Sequence, residues 1–383
     1  MKKYLLNTLS ILALSALALT SCERTMSPDD PFPPEYKPSL YFSSDNRNLY
    51  SIDVVTRQTN WEFVADDAIK ASPTIFKNSV ILASAKGTIY KLNNISGALE
   101  QKLELNIPIV STPVIYNDKL IVCTTDGRMI AYDGNDLLAE PFWSTSGLGS
   151  MTGSPNVNTI ESLEIVGVVC ANLANEVFVI DEEDGSVVWR KTMTPAGSIF
   201  SSVSANGVTI YAASTNGRLY SIKTQNGGVN WSYATGGPIT ASPVSIGGNV
   251  MVGSADMNFY SIDSMAGTVR WKVPAGDKVE STACYDNQFV YYGSNDQYIY
   301  CVDVIHGLLT WKKKTFSTVR SSPVVFEHKV YVGSYDKNFY ILNTEDGTES
   351  AVLPLDGQMD CSPLIDNITR VYYPPVSGNY FLK

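Results

Sequence analysis

The chain has 383 residues, 44% of them hydrophobic and 17% charged, and a formal net charge of −10 at pH 7. This acidic balance argues against a nucleic-acid partner, because nucleic-acid-binding proteins carry basic patches that meet phosphate. It also argues against electrostatic adhesion to anionic lipid. Length alone would suggest about two or three domains, but an internal repeat overrides that estimate.

The N-terminus carries the features of a bacterial lipoprotein signal. Lys2 and Lys3 precede a short apolar run that could not comfortably span a bilayer. The following tetrapeptide, LTSC at 19–22, resembles the bacterial lipobox, which implies cleavage before Cys22 and lipid on its thiol and new amino group. We therefore predict a signal peptide over residues 1–21 and a lipid anchor on Cys22, since two or three acyl chains hold a protein stably on a membrane.

Residues 22–38 are predicted to form a tether between this anchor and a globular domain. Five prolines interrupt a stretch with few residues to bury, a composition that favours extended, polyproline-like conformations. Loss of the two signal lysines leaves 26 basic against 38 acidic residues, a net charge of −12. The protein would thus be held to a membrane by its lipid and not by its charge.

A repeat of four short strands organises the rest of the chain. In Ala241–Trp271, runs of β-branched and aromatic residues alternate with small, polar or glycine-containing breaks, the pattern of successive hairpins. One position of the third strand recurs at intervals of 40 to 48 residues, at Tyr50, Tyr90, Ile130, Phe178, Tyr220, Tyr260, Tyr300, Tyr340 and Tyr380. A four-stranded unit repeated about every 40 residues is the signature of a β-propeller blade.

We predict an all-β fold in which residues 39–383 form one eight-bladed propeller of four-stranded antiparallel blades. The repeats supply eight first, nine second, nine third and eight fourth strands, two strands more than eight blades need. The ring is therefore expected to close through a blade shared by both termini. The surplus pair is either in 39–54 or in 369–383, and the repeat pattern leaves both possibilities open.

All six tryptophans occupy the same position of the fourth strand. A large flat side chain near the outer edge can fill the wedge between adjacent blades, and its indole N–H would then seek a backbone carbonyl of the neighbour. Use as aromatic platforms for sugars or bases is the alternative, although a ligand site does not need six copies at fixed register. We predict a blade-docking role for Trp61, Trp143, Trp189, Trp231, Trp271 and Trp311.

These residues bring the chain close to a known family. The pattern Asp-x-x-x-Gly-x-x-x-Trp, as in Asp181–Trp189 and Asp263–Trp271, resembles the repeat of PQQ-type (quinoprotein-like) propellers over nearly all of 39–383. Combined with the lipobox, it is similar to the BamB family of lipoproteins from the outer-membrane β-barrel assembly machinery. That resemblance implies a periplasm-facing scaffold on the outer membrane that holds envelope proteins through loops on one face of the ring.

The sequence carries little that would support catalysis. Quinone-dependent dehydrogenases with similar blades often add a vicinal Cys-Cys pair and pocket-building insertions, which are absent here, and there is no haem, phosphate-loop or zinc-protease motif. His306 and His328 lie in different repeats and are expected to be exposed turn residues. We therefore predict no catalytic residue, no metal and no cofactor.

Five cysteines remain after Cys22, and their spacing matches no metal site. An oxidising periplasm would permit a disulfide, and an odd number prevents all five from pairing. The simpler interpretation is that they are small buried hydrophobic residues. Which of them pair, if any, stays open from the spacing alone.

Irregularities in the repeat point to a site of interaction. Extra residues lie near 156–164, and the stretch 135–142 departs from the Gly-x-x-x-Trp pattern. Longer loops at one place on a regular ring are where binding commonly occurs. We predict that Leu137, Leu138 and Phe142 contact a partner, the alternative being neutral drift in a surface loop.

Three functions compete at this stage. The first is a non-enzymatic, lipid-anchored scaffold of the cell envelope, acting in outer-membrane protein assembly. The second is a quinoprotein-like oxidoreductase, or a propeller that binds another small ligand in its channel. The third is an envelope module for glycan or peptide. The repeat cannot separate them, because it is a packing motif and function is grafted onto folds.

Overall fold

A computed structural model describes residues 38–286 and 288–366, which form eight four-stranded antiparallel sheets arranged as the blades of a propeller. This confirms the predicted fold class. The predicted signal peptide, Cys22 and the tether lie outside the described residues. No helix in the described ranges is long and apolar enough to cross a membrane.

The strands follow one another from the channel outward in seven of the sheets. Blade 2 contains β4 (Thr74–Phe76), β5 (Ser79–Ala83), β6 (Thr88–Asn93) and β7 (Leu99–Glu104); blade 3 contains β8 (Val114–Tyr116), β9 (Lys119–Cys123), β10 (Met129–Asp133) and β11 (Trp143–Thr145). Blade 4 contains β12 (Asn156–Ile160), β13 (Ile165–Ala171), β14 (Glu176–Asp181) and β15 (Val187–Thr192); blade 5 contains β16 (Ser204–Ala205), β17 (Thr209–Ala213), β18 (Arg218–Lys223) and β19 (Val229–Ala234).

The same order continues in the second half of the chain. Blade 6 contains β20 (Val244–Ile246), β21 (Asn249–Gly253), β22 (Asn258–Asp263) and β23 (Val269–Pro274); blade 7 contains β24 (Cys284–Asp286), β25 (Phe289–Gly293), β26 (Tyr298–Asp303) and β27 (Leu309–Lys314). Blade 8 contains β28 (Val324–Phe326), β29 (Lys329–Gly333), β30 (Asn338–Asn343) and β31 (Glu349–Pro354).

The ring closes through blade 1, which both ends of the chain build. Its three outer strands are β1 (Ser39–Ser43), β2 (Asn48–Asp53) and β3 (Thr59–Val64), and its innermost strand is β32 (Leu364–Asp366). Leu40 pairs with Ile365 in antiparallel register across this closure. Of the two candidate surplus pairs, 39–54 therefore belongs to the ring, while 369–383 lies outside the described residues.

The position of each strand in its blade explains its sequence. The second and third strands are sandwiched between neighbouring blades and are buried on both faces, so they are nearly continuous apolar runs such as Asn258–Asp263, NFYSID. The fourth strands have one solvent-facing side and alternate between exposed and partly buried residues. The core is thus a set of eight apolar layers, one between each pair of blades.

A belt of hydroxyl groups links the innermost strands around the channel. It consists of the serine or threonine that precedes each innermost strand, as in the Ser242-Pro243 pair. The backbone N–H of Ser242 donates to Thr282 Oγ1 of the next blade at 3.1 Å, and that of Thr282 donates to Ser322 Oγ at 3.0 Å. The same bond joins other successive blades, at Ser72 to Thr112, Thr112 to Ser154, Ser154 to Ser202, Ser202 to Ser242 and Ser362 to Ser72.

The extra residues near 156–164 do not form a long loop, contrary to the sequence-based expectation. They lengthen the inner hairpin of blade 4, so that β12 has five residues where the other innermost strands have two or three. A one-turn 3-10 helix, η1 (Glu161–Leu163), joins β12 to β13. The extension is stable as strand because Ile160 is buried and packs with Leu163 in the layer between blades 4 and 5.

Candidate interaction surface and channel mouth

Each tryptophan of the fourth strands contacts the following blade in the same way. Trp231 Nε1 donates to the backbone carbonyl of Ser264 at 3.0 Å, and its ring lies against Gly267, where an added Cβ would stand 2.6 Å from Trp231 Cδ2. Within each Asp-x-x-x-Gly-x-x-x-Trp pattern, the glycine therefore contacts the tryptophan of the preceding blade, whereas the tryptophan contacts the following blade. Equivalent bonds run from Trp61 to Asn94, Trp143 to Glu182, Trp189 to Thr224, Trp271 to Val304 and Trp311 to Thr344.

The two fourth strands without tryptophan face a turn without the docking glycine. Gln101 of blade 2 lies against the turn of blade 3, where Leu137 takes the glycine position. Blade 8, which carries Ala351, is followed by blade 1, where Arg57 occupies the glycine position. The guanidinium of Arg57 donates to the carbonyl and hydroxyl oxygens of Ser350. The spacing of the repeat holds this pairing of Gly with Trp, but it was not predicted from the sequence, because the two residues belong to different copies.

The structure does not place Leu137 on the surface. Its side chain is fully buried with Phe76 and Leu120 in the layer between blades 2 and 3, in the room that a tryptophan at position 101 would otherwise fill. Its backbone N–H donates to Gln101 Oε1 at 2.9 Å. The prediction that Leu137 contacts a partner is therefore corrected: it is a core residue.

Leu138 and Phe142, in contrast, are exposed, at 65% and 57%. The ammonium of Lys119 lies 5.5 Å from the centre of the Phe142 ring and 3.0 Å from Glu182 Oε1 of blade 4. Burial raises the pKa of Glu182 although Lys119 opposes the shift. Two of the three predicted contact residues, Leu138 and Phe142, thus lie exposed in the turn between β10 and β11, and we call this exposed turn the ridge.

Exposed apolar side chains also occur in the corresponding turns of other blades. Met265 of blade 6 and Ile305 and Leu308 of blade 7 are largely exposed. The ridge in blade 3 differs in that its turn is longer and its outer strand β11 has only three residues. These other turns provide a surface of similar chemistry against which the ridge can be tested.

The loops that enter the innermost strands form a second candidate site, the channel mouth. We define it by the residues two positions before each belt hydroxyl: Lys70, Val110, Thr152, Phe200, Thr240, Glu280, Arg320 and Asp360. The four successive positions 110, 152, 200 and 240 are uncharged, and the other four carry charged side chains that are linked by ion pairs. Arg320 lies 3.4 Å from Glu280 and 3.9 Å from Asp360, and Lys70 lies 3.7 Å from Asp360.

The charged half of the mouth does not fit a quinone with its calcium ion. Its two cations and two anions compensate one another, and Tyr335 donates its hydroxyl hydrogen to Asp360. Burial and this hydrogen bond raise the pKa of Tyr335. No group of three or more His, Cys, Asp or Glu side chains in the described part of the chain is arranged to hold a metal ion.

The histidines lie in turns. The Nδ1 atom of His306 is 3.0 Å from Asp303 Oδ1, in the exposed turn before β27, and His328 is exposed in the hairpin between β28 and β29. The two belong to different blades. His328 lines a shallow surface pocket of blade 8 with Lys329, Glu345 and Asp346.

A family model described as "Outer membrane protein assembly factor BamB" matches residues 45–273 and 262–352. The chain is 24% identical over 204 residues to the outer membrane protein assembly factor BamB of Yersinia pestis and 23% identical over 202 residues to that of Moranella endobia (strain PCIT). Each alignment covers 50% of both proteins, so the chain spans about half the length of these relatives.

Solved structures share the fold. BamB from Moraxella catarrhalis has a TM-score of 0.64 and 16% identity, covering 76% of this chain and 90% of that one. The computationally designed Ika8 protein has a TM-score of 0.65, 14% identity and coverages of 77% and 89%. A quinohemoprotein alcohol dehydrogenase from Pseudomonas putida has a TM-score of 0.64, 12% identity and coverages of 80% and 69%. Likenesses at this identity show the fold alone.

Proposed function

The chain belongs to the family described as outer membrane protein assembly factor BamB, and on this basis we propose that it is a non-enzymatic scaffold of the cell envelope that holds protein partners during outer-membrane protein assembly. The observation that carries the proposal is the family match, which extends from residue 45 to residue 352 and so includes parts of all eight blades. The named relatives are assembly factors by their descriptions, and the proposal transfers that role to this chain.

The proposed anchor is the lipidated Cys22. A basic start, a short apolar run and the sequence LTSC support processing to a lipoprotein with residues 1–21 removed, 22–38 as tether and 39–383 as the globular domain. The protein would then face the periplasm from the outer membrane. Substitution of Cys22 with alanine should move the protein from the detergent-soluble membrane fraction to the soluble periplasmic fraction on fractionation.

The proposed partner-binding surface is the ridge formed by Leu138 and Phe142. An exposed aromatic ring and an exposed leucine in the same turn, with a cation over the ring, match the aromatic and apolar composition of interface centres. The ridge is also one of the two places where the repeat is lengthened, the other being 156–164. A partner that covers the ridge would present apolar surface to Leu138 and Phe142.

The test is capture of partners from detergent-solubilised envelopes by the full-length lipidated protein, followed by mass spectrometry. We expect an outer-membrane assembly barrel and its lipoproteins, captured by the native protein and lost with the double variant Leu138→Asp, Phe142→Asp. The matched control is Ile305→Asp, Leu308→Asp, two equally exposed residues of a different blade. Equal capture by both variants would remove the ridge from the proposal, and reproducible absence of assembly components would overturn the function.

A second candidate, a quinoprotein-like oxidoreductase, has support from the shared fold with a quinohemoprotein alcohol dehydrogenase. It is tested by adding pyrroloquinoline quinone and Ca²⁺ to the purified protein and recording the quinone absorbance band and alcohol-dependent dye reduction. Retention of the quinone through gel filtration would favour this candidate over the scaffold. The same preparation, probed with oligosaccharides and peptides, addresses the third possibility of a glycan or peptide module.

A further inference from the structure

Two cysteines that are 47 positions apart in the sequence meet at the junction of blades 3 and 4. Cys123 is the last residue of β9 and Cys170 lies in β13, and their Sγ atoms are 3.8 Å apart. Both side chains are buried, at 0% and 1% exposure. The Sδ atom of Met151 lies 3.9 Å from Cys170 Sγ and completes a small sulfur cluster.

The register of the propeller explains why these two side chains face each other. The last residue of each second strand is small, and at several junctions it lies in one apolar layer with the penultimate residue of the second strand in the next blade. Ala171 and Ala212 share one apolar layer in this way, and Ala213 and Val252 share another. The other last residues are Ser43, Ala83, Gly253, Gly293 and Gly333. At the junction of blades 3 and 4, both positions are cysteine.

The remaining cysteines of the described chain are not placed to pair. Cys284 and Cys301 both lie opposite Tyr291, on either side of strand β25, so their backbones are two strand spacings apart, about 9.5 Å. A disulfide requires Cα atoms closer than about 7 Å. Cys361 Sγ accepts a hydrogen bond of 3.0 Å from Ser43 Oγ and donates one of 3.0 Å to the Ser43 backbone carbonyl.

From this geometry we propose that Cys123 and Cys170 form a disulfide that links blades 3 and 4 and is made while the protein folds. The thiolate of one cysteine attacks the disulfide of an oxidant, either a dithiol oxidase of the envelope or oxidised glutathione, and releases one oxidant thiolate. The second cysteine, as thiolate, then attacks the sulfur of the resulting mixed disulfide and displaces the other oxidant sulfur. Two protein thiols become one disulfide, the oxidant takes up two electrons and becomes two thiols, and the two protons go to its sulfurs.

Burial determines when this exchange takes place. In the folded protein no oxidant can reach either sulfur, and the contact with Cys170 together with burial raises the pKa of the Cys123 thiol, so little thiolate forms. Before blade 4 packs on blade 3 both thiols are open to solvent. The closed ring then shields the disulfide from reductants as completely as it shields the thiols.

The bond would act directly beneath the proposed partner-binding ridge. Trp143, which follows Phe142 in the chain, packs in the same apolar layer as both cysteines and docks on Gly185 of blade 4. The loop that a disulfide between residues 123 and 170 closes includes this turn. The disulfide therefore lowers the conformational entropy of the unfolded chain in this region. The junction is thus held by covalent bond and tryptophan docking together.

The experiment begins with the unsubstituted full-length protein, produced with its own signal in bacterial cells and quenched with N-ethylmaleimide in denaturant. Trypsin should yield fragment 120–128 joined to fragment 129–190 by a disulfide, and the two should separate on reduction. A second sample is reduced, unfolded and refolded with oxidised glutathione. We expect the same linkage in this sample. A portion that is reduced in denaturant and refolded without oxidant should have a midpoint of thermal unfolding lower by about 3–6 °C.

The variants separate the linkage from general effects of cysteine loss. Cys123→Ala with Cys170→Ala should fold, since alanine occupies the equivalent positions 83 and 212, and should lose the oxidant-dependent shift. The control Cys284→Ala should keep it. Modification of Cys123 and Cys170 by N-ethylmaleimide, both in the protein from cells and in the protein refolded with oxidised glutathione, would show free thiols and overturn the proposal. Because formation in cells rests on the proposed envelope location, linkage after refolding but not in cells would retain the disulfide site and overturn that location.

Discussion

The backbone N–H of Leu137 donates a 2.9 Å hydrogen bond to the side-chain oxygen of Gln101, across the junction of blades 2 and 3. At six other junctions these two positions are occupied by glycine and tryptophan, in van der Waals contact. The loss of tryptophan and the gain of leucine are complementary, because the leucine side chain occupies space that the indole ring would need. The irregular turn of blade 3 therefore packs Leu137 into the layer between blades 2 and 3, and it leaves Leu138 and Phe142 exposed.

This complementarity predicts strong coupling between positions 101 and 137. Gln101→Trp should be destabilising because the indole meets Leu137, and Leu137→Gly should be destabilising by about 2–5 kcal/mol because it leaves a cavity. The double variant should recover much of both losses, with a coupling free energy of about 1–3 kcal/mol in a double-mutant cycle measured by urea unfolding. Additive single effects would show that the two residues do not share the wedge.

Tryptophan docking makes a separate prediction for the regular junctions. Trp231→Ala should lower the free energy of unfolding by about 3–5 kcal/mol, since it removes a large side chain from between two blades. Trp231→Phe keeps an aromatic ring but removes the hydrogen bond to the Ser264 carbonyl, with a direct cost of about 1 kcal/mol. Denaturant unfolding of the two variants distinguishes packing from hydrogen bonding, and a small effect of both would contradict the proposed docking role.

The docking glycine is predicted to be intolerant of a side chain for two reasons that can be separated. Gly267 has φ of +68° and an added Cβ would meet the Trp231 ring, whereas Gly247 has φ of +51° with nothing within 4 Å of such a Cβ. Gly247→Ala should therefore cost only the conformational term, about 1 kcal/mol. Gly267→Ala should cost about 1–3 kcal/mol more, as overpacking does. Equal losses in thermal or urea unfolding would contradict the assigned contact.

Asp263 is predicted to make the turn of blade 6 sensitive to acid. Its carboxylate accepts hydrogen bonds from the backbone N–H groups of Ala266 and Met265 and from Arg270, and these bonds lower the pKa of Asp263 to about 2. Because the folded-state pKa is below the ordinary unfolded value of about 3.9, the carboxylate stabilises the fold above pH 4, and this stabilisation is lost as the pH falls from 4 to 2.

The measurement is the pH dependence of the free energy of unfolding, compared between the native protein and Asp263→Asn. The difference between the two should shrink between pH 4 and pH 2 and stay constant above pH 5. The control is the same substitution at Asp277, which is half-buried in the loop after β23 and accepts a hydrogen bond from the backbone N–H of Lys278. A difference that is independent of pH would show that the carboxylate is not charged in the turn.

The propeller itself was predictable from the sequence because its information is local and repeated. Each blade is a run of short hairpins whose strands are marked by β-branched and aromatic residues and whose turns are marked by glycine, asparagine and aspartate, so eight copies reinforce one another. The exposure of Leu138 and Phe142 also followed from the departure of one turn from this pattern. The burial of Leu137 did not, because it depends on Gln101 in another copy.

The sequence by itself therefore determined the number of blades, the register of their strands and the residues that mark each junction. Only the tertiary structure decided that residues 39–54 belong to the shared blade 1, that residues 156–164 continue a hairpin, and that Cys123 faces Cys170. The physical reason is the same in each case. Hairpin formation depends on neighbours in the chain, whereas closure of the ring and packing between blades bring together residues that no local pattern connects.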